Sequence, residues 1–258
     1  MRNYFLKSFY FFIPFLAFCE YSNAQETRQL SVGATFFYSK DIIISESIYS
    51  GKTTSFNYEE SFSSTKILKA SYLFGNLHSR NDNKWHVFSP KFSFLFFSKN
   101  IFVRSISNQF GIGINSEGLW IDSSFNSDGD ERSGRKSGFL SFYPSFEYKG
   151  NTKLFKNYEL DLFISAPIFF YTLRPGYATL DPDKTIGNGS TAFNVAGSGK
   201  FQTVLNQPKF ITGLSIHRDI SETVSLLISY KYHLQKISFP KNYSSIDQTL
   251  NFAIRWEK

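Results

Sequence analysis

Apolar and polar residues alternate with a period of two along most of this chain, which restricts it to β-structure because successive side chains of a strand point to opposite faces. The clearest run spans residues 158–170, where every second residue is apolar and Glu159, Asp161 and Ser165 fall between them. Comparable apolar faces occur within residues 30–38, 68–74, 88–96, 106–114, 119–125, 140–148, 210–216, 224–234 and 250–256. Aromatic residues make up 19% of the chain, as expected of side chains on a pleated, half-buried surface. The sequence therefore predicts an all-β protein.

The N-terminus has the features of a secretory signal peptide. Arg2 and Lys7 accompany a short apolar stretch at 9–18, and the small residues Ser-Asn-Ala at 22–24 supply a cleavage site. The apolar stretch is about half as long as the roughly 20 residues that a transmembrane helix needs. We therefore assign residues 1–24 to a signal peptide that is removed after export.

Residues 25–258 are predicted to form a single domain, because all-β barrels of this length commonly remain one domain. The only cysteine, Cys19, precedes this domain, so no disulfide is expected in it. Lipidation of Cys19 is an alternative, although Phe18 stands where such sites carry a small residue. The formal net charge is +7, but lysines and arginines are spread along the chain, so no nucleic-acid partner is expected.

Polar segments of alternating length separate the apolar runs. Short turns are predicted near 76–84, 115–118, 150–157 and 218–222, and longer loops near 39–64, 99–104, 126–136, 174–206 and 238–245. This order predicts about ten strands with both chain ends on the short-turn side, the parity of barrels with short periplasmic turns and long extracellular loops. Eight strands are the alternative, if residues 100–125 form one bent pair.

Two further features favour a membrane barrel over a soluble β-sandwich, which alternation alone does not exclude. Several runs reach about eleven residues, long enough to cross a bilayer at a tilt. Aromatic residues lie near predicted strand ends, where barrels carry interfacial girdles, at Tyr38, Phe74, Trp85, Tyr148, Tyr158, Tyr171, Tyr232 and Trp256. We predict a closed antiparallel up-and-down transmembrane β-barrel. The alternative is a secreted soluble β-sandwich that binds a ligand.

The exported N-terminus, the mature start at Gln25-Glu26 and the last strand with Leu250, Phe252, Ile254 and Trp256 resemble the outer-membrane β-barrel proteins of Gram-negative bacteria, of the Bacteroidetes type. The resemblance implies residence in the cell outer membrane, contact with its lipid, and insertion by the barrel insertion machinery. In that family an aromatic residue that this machinery reads often ends the last strand. The resemblance includes no active-site motif.

The predicted inward face carries ten ionisable residues, namely Lys69, Lys91, Glu147, Glu159, Asp161, Lys209, His217, Lys231, His233 and Arg255. Because side chains largely fill a lumen of this size, the first interpretation is a set of mutually neutralising ion pairs. The second is a narrow polar pore or a small-ligand cavity. Gly111-Ile112-Gly113 lacks the third glycine and the helix of a phosphate loop, and indicates close packing within a strand.

Glu159 and Asp161 lie on one face of a strand, a spacing that permits acid–base chemistry. A barrel-borne outer-membrane hydrolase is therefore an alternative function, as is the ligand-binding sandwich. No nucleophile motif such as Gly-x-Ser-x-Gly occurs, and no catalytic, cofactor-binding or metal-binding residue is assigned. The function predicted is a monomeric, non-enzymatic surface protein or a narrow, porin-like pore.

Overall fold

A computed structural model describes residues 26–42, 47–80, 83–103, 105–127, 130–155, 158–174, 199–238 and 242–257. The predicted signal peptide lies outside the described residues. The strands are β1 (Thr27–Asp41), β2 (Tyr49–Ser63), β3 (Lys66–His78), β4 (Lys84–Phe97), β5 (Ile101–Val103), β6 (Ile106–Ser127), β7 (Asp130–Phe155), β8 (Tyr158–Pro167), β9 (Phe169–Leu173), β10 (Lys200–Thr203), β11 (Lys209–Asp219), β12 (Val224–Ile237) and β13 (Tyr243–Glu257). None of the described residues forms a helix long and apolar enough to cross a membrane.

The strands form one antiparallel sheet that closes on itself, because β13 pairs with β1 along the full length of both. In the described part of the chain the wall has ten strands. β8 and β9 are two halves of one wall strand, interrupted at Ile168. The short strand β5 pairs with β6, and the short strand β10 pairs with β9. We call the end where β1 begins and β13 ends the terminal rim, and the opposite end the loop rim. The predicted fold class is confirmed.

The apolar face of each strand points out of the barrel. In β1, Leu30 and Val32 are about half exposed, whereas Ser31 and Thr35 between and beyond them are buried. The same alternation recurs around the wall, so an apolar outer surface surrounds a polar lumen. This is the arrangement of a barrel surrounded by lipid and the reverse of a sandwich, whose apolar faces pack inward. The soluble sandwich was therefore the wrong alternative.

Four of the predicted connections were wrong. Residues 49–63, assigned to a loop, form β2, and the turn expected at 115–118 lies inside the single strand β6. The turn near 76–84 lies at the loop rim and the loop near 99–104 at the terminal rim, the reverse of their predicted sides, because the unpredicted β2 reverses the direction of β3 and β4. The prediction missed one strand, β2, and divided another, β6, into two. The two errors cancel, so the predicted count of ten strands was still right.

The predicted aromatic girdle is confirmed only in part. Tyr38, Phe74 and Tyr158 are exposed on the outside of the barrel. Trp85 has no exposed surface and lies inside the lumen. It is the second residue of β4 and pairs with the inward-facing Leu77, so its position near a strand end does not place it at the lipid interface.

Ile228 tests the outward apolar face, because it lies in the middle of β12 and is about half exposed. Ile228→Arg is expected to lower the free energy of unfolding by about 2–4 kcal/mol, the cost of a cation near the bilayer midplane. Guanidinium unfolding in lipid vesicles measures this loss. Ile228→Leu, the matched control, should stay within about 1 kcal/mol of the parent, and an equal loss in both variants would contradict a lipid-facing position.

Candidate functional site

A cluster of buried apolar side chains spans the lumen near the loop rim. It comprises Phe37, Tyr49, Leu73, Leu77, Trp85, Val87, Leu119, Ile121, Phe139, Ile237 and Tyr243, and we call it the apolar plug. The rings of Tyr49 and Trp85 are stacked with their centroids 3.7 Å apart. Those of Phe139 and Tyr243 meet edge to face at 5.2 Å. Because these residues come from opposite walls, the plug blocks the barrel with packed hydrocarbon at this level.

A buried ion pair joins the two sides of the barrel at the plug. The Nη2 atom of Arg174, directly after β9, donates to Oδ1 of Asp41 at the end of β1 over 2.6 Å. Ser137 Oγ donates to the other carboxylate oxygen over 3.1 Å. The Arg174 guanidinium also lies 5.5 Å from the ring centroid of Tyr243. The charged pair thus packs onto the aromatic side chains of the plug and ties β9 to β1.

A cluster of ionisable side chains lies next to the plug on its terminal side. Glu117 contacts two cations, Lys91 at 3.3 Å and the fully buried Lys209. Asp247 lies 3.5 Å from Lys91 and 2.7 Å from Nδ1 of His233. These five residues come from β4, β6, β11, β12 and β13, so the cluster connects much of the barrel wall, and we call it the ionic cluster.

A cavity of about 230 Å³ extends from the ionic cluster towards the terminal rim. Gln29 and Arg255 line it, and both lie two residues from a strand end at that rim. Lys69 reaches into it, 3.0 Å from Glu59 and with its ammonium 4.6 Å from the ring centroid of Phe163 on the facing wall. The polar space of the barrel therefore lies between the ionic cluster and the terminal rim.

The two carboxylates that the sequence singled out lie together near the terminal rim. His217 Nε2 is 2.9 Å from Glu159, and its Nδ1 is 3.4 Å from Asp161. Asn151 donates to both carboxylates, over 3.0 Å and 2.7 Å. Both acids are therefore engaged with neighbouring wall strands, which favours a structural role over acid–base catalysis. Among the described residues, no group of three His, Cys, Asp or Glu side chains could hold a metal ion.

All ten residues predicted to face inward lie on the lumen wall. The structure brings Lys91, Lys209 and His233 together in the ionic cluster and His217 together with Glu159 and Asp161, while Lys69, Glu147, Lys231 and Arg255 line the cavity. The acids that complete these contacts, Glu59, Glu117 and Asp247, were missed, and so was the separate pair of Asp41 and Arg174. Glu59 and Glu117 lie in segments predicted as a loop and a turn, so a correct strand assignment would have placed them inside.

Gly113 confirms the close packing predicted for the Gly-Ile-Gly segment. A Cβ atom at this position would lie 2.7 Å from Ser145 Oγ and 2.8 Å from both Glu147 Oε1 and Leu95 Cδ2. Such distances are shorter than van der Waals contact. The glycine therefore leaves space in which the Glu147 carboxylate and its hydroxyl partner sit.

Comparison with solved structures agrees with this architecture. The outer membrane protease OmpT of Escherichia coli matches with a TM-score of 0.50 at 7% identity, over 93% of this chain and 99% of that one. Neisserial surface protein A has a TM-score of 0.37 at 8% identity, over 89% and 96%. Ail of Yersinia pestis has 0.30 at 11% identity, over 90% and 99%. No protein-family model and no curated protein matches the sequence.

The likeness to OmpT shows the fold alone. It agrees with the closed sheet and the apolar outer face, which make the chain a transmembrane β-barrel. Barrels of this type differ widely in role, so function has to be argued from the lumen and the rims of this chain.

Proposed function

We propose that the protein resides in a bacterial outer membrane as a barrel closed at its loop rim, and that it acts at the cell surface without catalysing a reaction. The apolar plug is the observation that carries this proposal. Packed side chains from opposite walls fill the lumen at that level, and the Arg174–Asp41 ion pair beside them is itself buried, whereas conducting porins enclose a water-filled channel. A barrel of this kind holds its loop-rim connections at the membrane surface. Loops on a rigid scaffold commonly carry binding specificity.

A narrow pore is less well supported, because a solute that entered the cavity from the terminal rim would meet the plug. Besides Glu159 and Asp161, one observation in the described residues favours a hydrolase, namely the pair of His233 and Asp247, in which Nε2 of the histidine has no hydrogen-bond partner. This pair lies on the terminal side of the plug, and the plug separates it from the loop rim. At the rim itself, Asp41 is occupied by Arg174 and Ser137. The geometry therefore favours the non-enzymatic role.

Lipid, the barrel insertion machinery and a surface ligand of unknown chemistry are the proposed partners, and the barrel is proposed to act as a monomer. The outward apolar faces of most wall strands support contact with lipid. The last strand, β13, is fully paired on both edges, as a barrel inserted by strand closure requires. The Bacteroidetes type stays a prediction from the sequence.

Cysteine labelling in intact cells tests which rim faces outward. The sole cysteine lies in the predicted signal peptide, so single cysteines can be introduced at exposed positions of each rim. Asn242→Cys, at the loop rim, should react with a membrane-impermeant maleimide in intact cells. Glu222→Cys, in the connection between β11 and β12 at the terminal rim, is its matched control and should react only after the outer membrane is permeabilised. The opposite pattern would overturn the proposal.

A further inference from the structure

Most charged side chains of the cavity have an opposite charge or a hydrogen-bond partner beside them. Lys69 pairs with Glu59, Lys91 with Asp247, and Arg255 donates to Gln29. Four groups in the described lining differ from this pattern, namely Oε2 of Glu147, Oδ1 of Asp247 and the ammonium groups of Lys149 and Lys231. Asp247 already contacts Lys91 and His233 through its other oxygen, and Lys149 faces the charges of Glu59 and Asp161. Glu147 and Lys231 thus offer an anion and a cation without an ion pair in the same cavity.

Glu147 is held in a fixed position with one oxygen free. Its Oε1 accepts hydrogen bonds from Ser165 Oγ over 2.8 Å and from Ser145 Oγ. Its Oε2 is buried and has no hydrogen-bond partner, in a residue that is 3% exposed. The absence of a side chain at Gly113 provides the space for this arrangement. A buried carboxylate oxygen without a donor is costly, and a cationic N–H donor in the cavity would offset that cost.

Lys231 also lines the cavity, on a different part of its wall. Its side chain passes over Gly213, where a Cβ atom would lie 3.4 Å from Lys231 Cγ. It faces the negative charge of Glu59, but also the positive charges of Lys69 and Lys91. Glu59 is already engaged by Lys69, and Lys91 by Glu117 and Asp247, so Lys231 has no ion-pair partner of its own. An anionic group there would reduce the repulsion among the lysines.

Glu147 and Lys231 lie on β7 and β12, which are separated in the wall by β8 and β11. Three strand spacings of about 4.8 Å each separate the two strands along the wall. Both side chains point into the lumen, which shortens the gap between their charges. A ligand that contacts both groups therefore needs two opposite charges several bonds apart.

We propose that this cavity is a binding site for a small zwitterionic solute that carries an ammonium and a carboxylate group. The ammonium donates to Glu147 Oε2 and the carboxylate accepts from Lys231. The cavity volume of about 230 Å³ suits a solute of this size. The site lies on the terminal side of the plug and is independent of whatever the loop rim binds.

Isothermal titration of the full-length protein, purified in detergent, tests this site with 6-aminohexanoate as the probe. Saturable binding is expected for 6-aminohexanoate, and at least tenfold weaker binding for hexanoate and pentylamine, which each carry one of the two charges. Glu147→Gln keeps an oxygen for the two serine hydroxyls, and Lys231→Gln removes the cation. Each is expected to weaken binding at least tenfold, or about 1.4 kcal/mol.

Lys236→Gln is the matched control, because Lys236 lies on the same strand as Lys231 but is exposed on its other face. It should bind the probe as the parent does. Retention of the heat-dependent shift on a detergent gel shows that each variant is folded. Folded parent protein that binds no 6-aminohexanoate, or that binds hexanoate equally well, would overturn the zwitterion site. Both results would leave the labelling test of the rims unaffected.

Discussion

The double substitution Trp85→Ala and Tyr49→Ala is expected to turn a barrel that conducts no ions into one with stepwise conductance in planar bilayers. The two stacked rings lie in the apolar plug and have no exposed surface. Replacing both with alanine removes most of their volume, and the polar groups of the cavity then have a route towards the loop rim. The ion pair of Arg174 and Asp41 at the plug, with Ser137 beside it, supplies polar partners for water in the space that opens, and hydration of that space is the condition for ion passage.

A second aromatic pair provides the control for this experiment. Phe88 and Trp120 also lie on the barrel wall, with ring centroids 5.6 Å apart, but they face outwards. The double substitution Phe88→Ala and Trp120→Ala removes a similar volume without touching the lumen, and should leave the barrel non-conducting. Conductance by the parent protein would refute the closed barrel. A folded, non-conducting plug variant would show that the ring pair does not close the lumen.

The fold could be predicted from the sequence because the apolar residues of the lipid-facing side recur more regularly than any other feature of the chain. Where lipid contacts one face of a strand, apolar residues must recur at every second position, as between residues 158 and 170. The strand β2 escaped prediction because its outward face is weakly apolar. Phe56 and Tyr58 on that face are flanked by Lys52 and Glu60. Its polar residues therefore predict a loop.

The lumen was predictable only as far as the strands were correctly assigned. Lys69, Lys91 and Lys209 were placed inside, but two of their acidic partners, Glu59 and Glu117, fell in a predicted loop and turn. The apolar plug was not predicted at all. Inward apolar residues such as Phe37 break the alternation only locally, and period-two patterns do not show which residues of distant strands meet across a lumen.

Glu117→Gln is expected to lower the free energy of unfolding by about 3–5 kcal/mol, the usual cost of leaving a buried charge without its partner. Glu117 is 3% exposed and contacts Lys209, whose side chain has no exposed surface. Asp247 still lies beside Lys91 after the substitution, so Lys209 is the cation that loses its counter-charge. Guanidinium unfolding in lipid vesicles, followed by tryptophan fluorescence, measures the change.

Two further variants separate a buried-charge effect from general damage to the wall. Adding Lys209→Met to Glu117→Gln removes the unpaired cation and should restore most of the lost stability, because a neutral pair in a packed site often costs little. Glu59→Gln breaks the partly exposed pair with Lys69, whose side chains are 21% and 29% exposed. The charge that remains at Lys69 is less completely desolvated than the one at Lys209, so a smaller loss than that of Glu117→Gln is expected. Equal losses at Glu59 and Glu117 would show that burial does not set the strength of the lumen ion pairs.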